Sequence, residues 1–122
     1  MIEIIPFDES NVVGFRLDGR IDDVDYDQTV AEIQQALDNN KKIRVYAEVE
    51  NFGGMSIEKF FENFKVKFGF FKELDRFEKE AIVSDKQWLA SIIKLSDKLF
   101  PSVEVRYFSS ENKADALAWV KN

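Results

Sequence analysis

The chain contains neither cysteine nor histidine among its 122 residues. Without cysteine it can form no disulfide, thiolate nucleophile or cysteine-rich zinc site. Without histidine it lacks the most common transition-metal ligand and the usual base of a serine or cysteine nucleophile. Catalysis would have to depend on carboxylates, lysines, tyrosines or a bound cofactor, and no phosphate-binding loop is present. We therefore expect a protein that is not an enzyme and that holds no cofactor or metal.

Basic charge and long apolar runs are also scarce. The 17 basic against 23 acidic residues leave a net charge of −6, and the arginines are scattered, so we expect no nucleic-acid partner. No run approaches the roughly 18 apolar residues of a membrane-spanning helix. Residues 1–6 also lack the basic start of a signal peptide. The expected protein is one cytoplasmic domain over residues 1–122, with peripheral contact to a membrane left open.

The first forty residues predict a β-hairpin followed by a helix. Residues 2–6 and 12–18 have the pattern of short strands, and the polar connection between them has hairpin length. The spacing then changes to the three- and four-residue steps of an amphipathic helix that ends at Asn39-Asn40. Its apolar face consists of Tyr26, Val30, Ile33 and Leu37.

An acidic run at residues 22–27 precedes most of this helix. A calcium-binding loop would begin at Asp23, but Gln28 and Gln34 occupy the positions that require glycine and glutamate. Negative charge at the start of a helix is stabilised by the helix dipole. We therefore interpret the run as a helix cap rather than as a metal site.

Strands and helices alternate along the rest of the chain. Three further strands are predicted at residues 43–49, 77–84 and 103–107. Three further helices are predicted: one over residues 56–74, one that Asp85 caps and that carries Trp88, Ile92, Leu95 and Leu99 on one face, and a last one that Ser109 or Ser110 caps. The order predicts an α/β fold, in which an N-terminal β-hairpin is followed by alternating helices and strands around a mainly parallel five-stranded sheet. Charges within the third and fifth strands indicate that the helices lie chiefly on one face.

The predicted helix over residues 56–74, here called the Phe-rich helix, has apolar residues on two sides. Its main stripe is about 100° wide and consists of Ile57, Phe60, Phe61, Phe64, Phe68 and Phe71. Val66 and Phe70 lie near the opposite side with lysines around them, and Gly69 favours mobility. Such a helix can be core, the movable wall of an apolar pocket, a membrane-contacting face or an interface to another subunit.

Several short motifs occur in a characteristic order. Gly19 precedes the first helix, and a glycine-rich turn precedes the Phe-rich helix. The sequence AIVSDKQW follows at residues 81–88, and RYF at residues 106–108 leads to ALAWV at residues 116–120. In this order and spacing the chain resembles the SpoIIAA-like proteins of the STAS superfamily over nearly its whole length. Its general build is also similar to CRAL-TRIO-type lipid-transfer domains.

The resemblance implies a small non-enzymatic domain that binds a protein partner, an apolar or lipid-like ligand or a membrane surface, and that often self-associates. Anti-sigma-factor antagonists of the superfamily carry a phosphorylated serine, in an Asp-x-Ser-type motif, before the second helix. The corresponding turn here, residues 50–56, lacks that motif, and Ser56 is its nearest hydroxyl. We interpret Ser56 as a helix N-cap rather than as a phosphorylation site.

Our first functional hypothesis is a non-catalytic module that binds an apolar or lipid-like ligand, or a membrane surface, through the Phe-rich helix. The expected ligand-binding residues are Phe52, Met55, Phe60, Phe64, Phe68, Phe71 and Trp88. The alternative is a regulatory protein-interaction domain. In that case Val66 and Phe70 would form the core of an interface with a partner or with a second copy of the chain.

Overall fold

The structure, a computed structural model, describes residues 1–51, 59, 62–63, 74–85 and 102–122. The strands are β1 (Ile2–Ile5), β2 (Val12–Leu17), β3 (Ile43–Val49), β4 (Phe77–Val83) and β5 (Glu104–Phe108). The helices of this part are α1 (Asp23–Asn39) and α2 (Lys113–Lys121), with short 3-10 turns at Leu74–Arg76 and Ser110–Asn112. These bounds confirm the predicted hairpin strands, the end of the first helix and the later strands to within about one residue. The Phe-rich helix and the helix with Trp88 lie outside the described residues.

The five strands form one sheet in the order β1-β2-β3-β4-β5. The hairpin strands β1 and β2 are antiparallel, whereas β2, β3, β4 and β5 run parallel to one another. Parallel neighbours cannot be joined by a tight turn, because the chain must return to the same end of the sheet before the next strand begins. The α/β prediction is therefore confirmed, and the hairpin lies at one edge of the sheet.

Helices α1 and α2 cover opposite faces of the sheet. Side chains alternate between the faces along each strand, so Val45 belongs to the same packed cluster as Leu37 of α1. The next residue, Tyr46, belongs to a separate cluster with Val120 of α2, and both residues are 0% exposed. One described helix thus lies on each face. The prediction that helices lie chiefly on one face also concerns the helices outside the described residues and stays a prediction.

The acidic run caps the start of α1, as predicted. Asp22 is the N-cap, and it forms a capping box with Asp25, in which each side chain accepts a hydrogen bond from the other's backbone N–H. Asp25 also accepts from the Ile2 N–H at 3.0 Å and lies 3.8 Å from the N-terminal ammonium. Burial opposes ionisation of Asp25, but these donors and the ammonium outweigh it and hold its pKa below the usual value.

Cations cap the ends of both helices. The Arg76 guanidinium donates to the carbonyl oxygens of Leu37, Asn40 and Lys41, where α1 ends. The C-terminus of α2 is capped by Arg44 and Lys79, which lie opposite each other on β3 and β4. Arg44 donates to the Val120 carbonyl at 3.0 Å, and Lys79 donates to the Trp119 carbonyl at 3.2 Å. Positive charge at a helix C-terminus is stabilised by the helix dipole. Charged positions of β3 and β4 therefore anchor a helix instead of facing open water.

The predicted serine cap of the last helix is wrong. Ser109 precedes a 3-10 turn, α2 begins only at Lys113, and neither Ser109 nor the N-cap residue Asn112 makes a side-chain capping bond. The Ser110 hydroxyl instead donates to the Asp85 carboxylate. A serine hydroxyl is satisfied by whichever acceptor lies within reach, and here the acceptor comes from a distant strand end that sequence spacing does not indicate.

Candidate functional site

A cavity lies at the edge of the sheet where the parallel strands β3 and β4 end. Its volume is about 370 Å³. The described residues that line it are Glu48, Val49, Glu50, Asn51, Val83, Ser84, Asp85, Ser110 and Lys113. We call it the carboxyl-edge cavity. The chain segments that follow parallel strands converge at this edge of an α/β sheet and can enclose a ligand.

Two of the lining residues are points at which the chain leaves the sheet. Asn51 follows β3 and Asp85 follows β4. In the sequence, the predicted ligand residues Phe52 and Met55 come directly after the first exit, and Trp88 comes three positions after the second. The structure thus brings together the two exits from which these segments begin. The predicted site residues themselves lie outside the described residues: Phe52, Met55, Ser56, Phe60, Phe64, Val66, Phe68, Phe70, Phe71 and Trp88.

Glu48 links the floor of the cavity to α2. Its carboxylate accepts a hydrogen bond from the Tyr46 hydroxyl at 2.9 Å and lies 3.1 Å from the Lys113 ammonium. The Glu48 side chain is only 15% exposed, so this ion pair is partly shielded from water. Burial, together with the hydrogen bond and the negative charge of Glu48, raises the pKa of the Tyr46 phenol. Tyr46 therefore stays protonated and acts as a fixed donor.

A second network joins the end of β4 to the segment after β5. The Asp85 carboxylate accepts from the Ser110 backbone N–H at 2.9 Å and also from the Ser110 hydroxyl. One residue earlier, the Ser84 carbonyl accepts from the Tyr107 hydroxyl at 2.5 Å, and the Ser84 N–H donates to the Phe108 carbonyl at 3.0 Å. These bonds hold the second exit against the neighbouring strand.

The first exit is tied to the end of β2. The Asn51 side-chain amide donates to the Asp18 carboxylate at 3.2 Å, and the Asn51 backbone carbonyl accepts from the Gly19 N–H at 3.1 Å. Gly19 has a φ of +76°, a conformation that glycine adopts without strain. Glu50 pairs with Arg16 at 2.5 Å on the surface. Both exits therefore begin from fixed positions on the sheet.

The charged groups of this site are paired. Each carboxylate of the cavity already has a donor or a cation beside it: Lys113 for Glu48, Arg16 for Glu50 and Ser110 for Asp85. Among the described residues no group of three acidic side chains is placed to hold a metal ion. No sequence pattern was used to predict the roles of Glu48 and Lys113. A polar residue close to the carboxyl end of a parallel strand was the available signal for Glu48.

No helix in the described part of the chain is long and apolar enough to cross a membrane.

Comparison with known proteins gives a family and a fold. The family model for SpoIIAA-like proteins matches residues 12–121. Among solved structures, the chain is similar to an uncharacterised DUF3478-family protein with a SpoIIAA-like fold from Shewanella loihica PV-4, with a TM-score of 0.68 and 21% identity. The similarity covers 98% of this chain and 92% of the other. No curated protein gave a match. The chain belongs to the SpoIIAA-like family, as its motifs predicted.

Proposed function

We propose that this chain is a non-catalytic binding module and that its ligand, an apolar or lipid-like molecule, occupies the carboxyl-edge cavity. The observation that carries the proposal is the meeting of the two chain exits, Asn51 and Asp85, at one cavity. The aromatic-rich segments of the sequence begin at these exits. Convergent loops at the carboxyl ends of parallel strands can enclose a ligand.

The described lining favours an amphiphile over a wholly apolar molecule. Val49 and Val83 supply buried apolar surface, whereas Lys113, Asp85 and Asn51 supply charges and an amide. Residues 52–71 contain seven phenylalanines. An apolar chain would meet these aromatic residues, and a polar head group would meet the lining of the cavity.

Paired charges support binding without catalysis. A general base must be able to take a proton from a substrate held within hydrogen-bond distance. Here Glu48 is engaged by Tyr46 and Lys113, and Asp85 is engaged by Ser110. The absence of histidine and cysteine removes the other common bases and nucleophiles.

Native mass spectrometry of the full chain, as purified from cells, tests the proposal. We expect an adduct of lipid mass on the parent protein. Lys113→Trp places a large ring at the cavity, so it should reduce the adduct at least about tenfold, because the ring occupies the ligand volume. Lys121→Trp at the other end of α2 is the matched control and should retain the adduct. A parent protein without any adduct, or equal loss in both variants, would refute the proposal.

Family membership favours a second candidate, a regulatory protein-interaction domain. The expected interface core is then Val66 and Phe70 of the Phe-rich helix, which the sequence places opposite the main stripe. Under this candidate the same spectra would show a dimer or higher oligomer without an adduct. The double variant Val66→Ser/Phe70→Ser should then be monomeric, because the apolar core of the interface is lost. Under the ligand proposal it should leave a monomeric ligand binder intact.

A further inference from the structure

A second cavity lies at the hairpin edge of the sheet, at the opposite end of the parallel strands from the carboxyl-edge cavity. Its volume is about 380 Å³. It runs between the hairpin and the second half of α1, and we call it the hairpin groove. Its described lining includes Ile4, Pro6 and Glu9 from the hairpin and Glu32 and Gln35 from α1.

The backbone of Ile4 points away from the sheet into solvent. Met1 and Asp18 form a narrow antiparallel pair, since the Met1 ammonium donates to the Asp18 carbonyl at 2.8 Å and the Asp18 N–H donates to the Met1 carbonyl at 2.9 Å. Such pairs alternate along an antiparallel ladder. Glu3 and Ile5 therefore bond to β2, whereas Ile2 and Ile4 direct their N–H and C=O groups to the outer edge.

The neighbouring positions on this edge offer no free N–H group. The Ile2 N–H donates to the Asp25 carboxylate at 3.0 Å, and Pro6 has no N–H to offer. Within the described residues, Ile4 has no backbone partner on its outer side, and the residue is 42% exposed. One residue can form a short bridge to an extended chain but cannot support the addition of a whole strand. A second copy of the chain therefore finds too few groups here to extend the sheet.

The α1 side of the groove carries free polar side chains. Glu32 and Gln35 are one turn apart on the same side of the helix, and both line the groove. Neither side chain makes a hydrogen bond or ion pair within the part of the chain that is described. Gln34, by contrast, lies outside the groove and donates to Asp38 at 3.0 Å.

The described lining of the groove is acidic, since it contains Glu9 and Glu32 and no basic side chain. The Lys121 ammonium lies beside this lining, 4.0 Å from the Oε2 atom of Glu9. Glu32 has no such cation within the described residues. One carboxylate oxygen of Glu9 is buried without a hydrogen-bond donor in this part of the chain. Cationic groups and N–H donors would complement this lining.

We propose that the hairpin groove binds an extended, basic peptide segment of a protein partner. The segment pairs with the N–H and C=O of Ile4 and places its cationic side chains beside Glu32 and Glu9, while Gln35 bonds to its backbone. An extended chain fits better than a helix, because a helix uses its own backbone groups internally. This site is independent of the ligand proposed for the carboxyl-edge cavity.

The probe is a phage-displayed library of random linear peptides, selected against the intact chain. We expect the enriched peptides to carry lysine or arginine at alternating positions, because alternate side chains of an extended segment face the same wall. Glu32→Lys should weaken the selected peptides by about tenfold or more, because it replaces an attraction with a repulsion. Glu111→Lys, with the same change in net charge on an exposed turn outside the groove, should leave their affinity unchanged.

A second variant tests the backbone bridge. Ile4→Pro removes an N–H that points away from β2, a position at which an edge strand tolerates proline, so the variant should fold and bind the peptides several-fold more weakly. Lys113→Trp should not alter peptide binding, which separates this site from the carboxyl-edge cavity. The proposal is overturned if selection yields no binder, if the binders lack basic residues, or if Glu32→Lys binds them as well as Glu111→Lys does.

Discussion

Helices α1 and α2 pack on opposite faces of one sheet, but different forces hold them. Helix α1 has 17 residues, a complete capping box and a buried face that includes Tyr26, Ile33 and Leu37. Helix α2 has 9 residues, no side-chain N-cap and only Ala116 and Val120 buried. Cations outside each helix bond its C-terminal carbonyls, namely Arg76 for α1 and Arg44 and Lys79 of the sheet for α2. The two helices therefore differ at their N-termini and in buried apolar surface, and the shorter helix depends more on contacts with the sheet.

The two faces of the sheet also differ in how their charged side chains are paired. On the α2 face, Glu48 pairs with Lys113, and Arg44 lies 3.7 Å from Glu78. On the α1 face, Glu80 stands between Val45 and Val105 in the sheet register. Within the described residues Glu80 makes no hydrogen bond or ion pair. Burial raises its pKa from 4.5 to about 7, although the residue as a whole keeps partial exposure.

The largest expected effect concerns how much the apolar side chains of each helix contribute to the free energy of unfolding. Ile33→Ala removes a side chain that is 1% exposed in the main core and should lower the free energy of unfolding by about 2 to 5 kcal/mol, through lost burial and a residual cavity. Val120→Ala in α2 deletes fewer atoms and should cost less. Urea titration of both variants gives the comparison. An equal loss would contradict the view that α1 carries more of the apolar stabilisation.

The next effect is a pH dependence on the α1 face. Because the folded chain holds the Glu80 proton more tightly than the unfolded chain, the contribution of Glu80 to stability is fully present below pH 4.5 and is lost as pH rises through about 7. Glu80→Gln removes this charge, so it should stabilise the protein by about 1 to 3 kcal/mol at pH 8 and have little effect at pH 4. Urea titrations across this range measure the difference. Glu78→Gln is the control on the same strand and should show no such gain at pH 8.

A smaller effect tests whether the sheet anchors α2 by charge. Lys79→Met keeps the length and apolar stem of the side chain but removes the donor to the Trp119 carbonyl and the ammonium 5.0 Å from the Trp119 ring. We expect a loss of about 1 kcal/mol, because a helix-end charge and a cation–π contact disappear together. Amide hydrogen exchange should accelerate in α2 and remain unchanged in α1. Unchanged exchange in α2 would show that the Lys79 contacts do not hold that helix.

The smallest expected effects come from a pair of candidate helix caps. Asp22→Ala removes half of the capping box and should cost about 1 kcal/mol. Ser109→Ala removes a hydroxyl that makes no capping bond and should cost only a few tenths of a kcal/mol. Thermal unfolding of the two variants measures the contrast. If Ser109→Ala destabilised the protein as much as Asp22→Ala does, the serine cap predicted from the sequence would be supported after all.

Local patterns predicted most of the described elements. The spacing from Tyr26 to Leu37 identified α1, and alternation identified β3, because one face of each element is buried and the period of burial follows from backbone geometry. The capping interpretation of Asp22 was confirmed as well. These features depend on residues within a few positions of one another. Residue spacing along the sequence is therefore enough to predict them.

The candidate site could be predicted only in part. The turn after β3 was singled out, and its exit, Asn51, does line the carboxyl-edge cavity. The partnership of Glu48 with Lys113 was not predicted, since the two residues are far apart in the chain. The ligand residues from Phe52 to Trp88 lie outside the described residues and stay predictions.

Residue order alone was enough to indicate the class of fold, the family and the boundaries of the strands, because burial periodicity and short motifs are local properties. Only the tertiary structure placed α2 on the face opposite α1. It also brought Arg44 and Lys79 to the C-terminus of α2 and the Ser110 hydroxyl to the Asp85 carboxylate. Each of these contacts joins residues more than twenty positions apart. A polar side chain bonds to whichever donor or acceptor lies within reach, and these groups come within reach of one another only when the sheet forms.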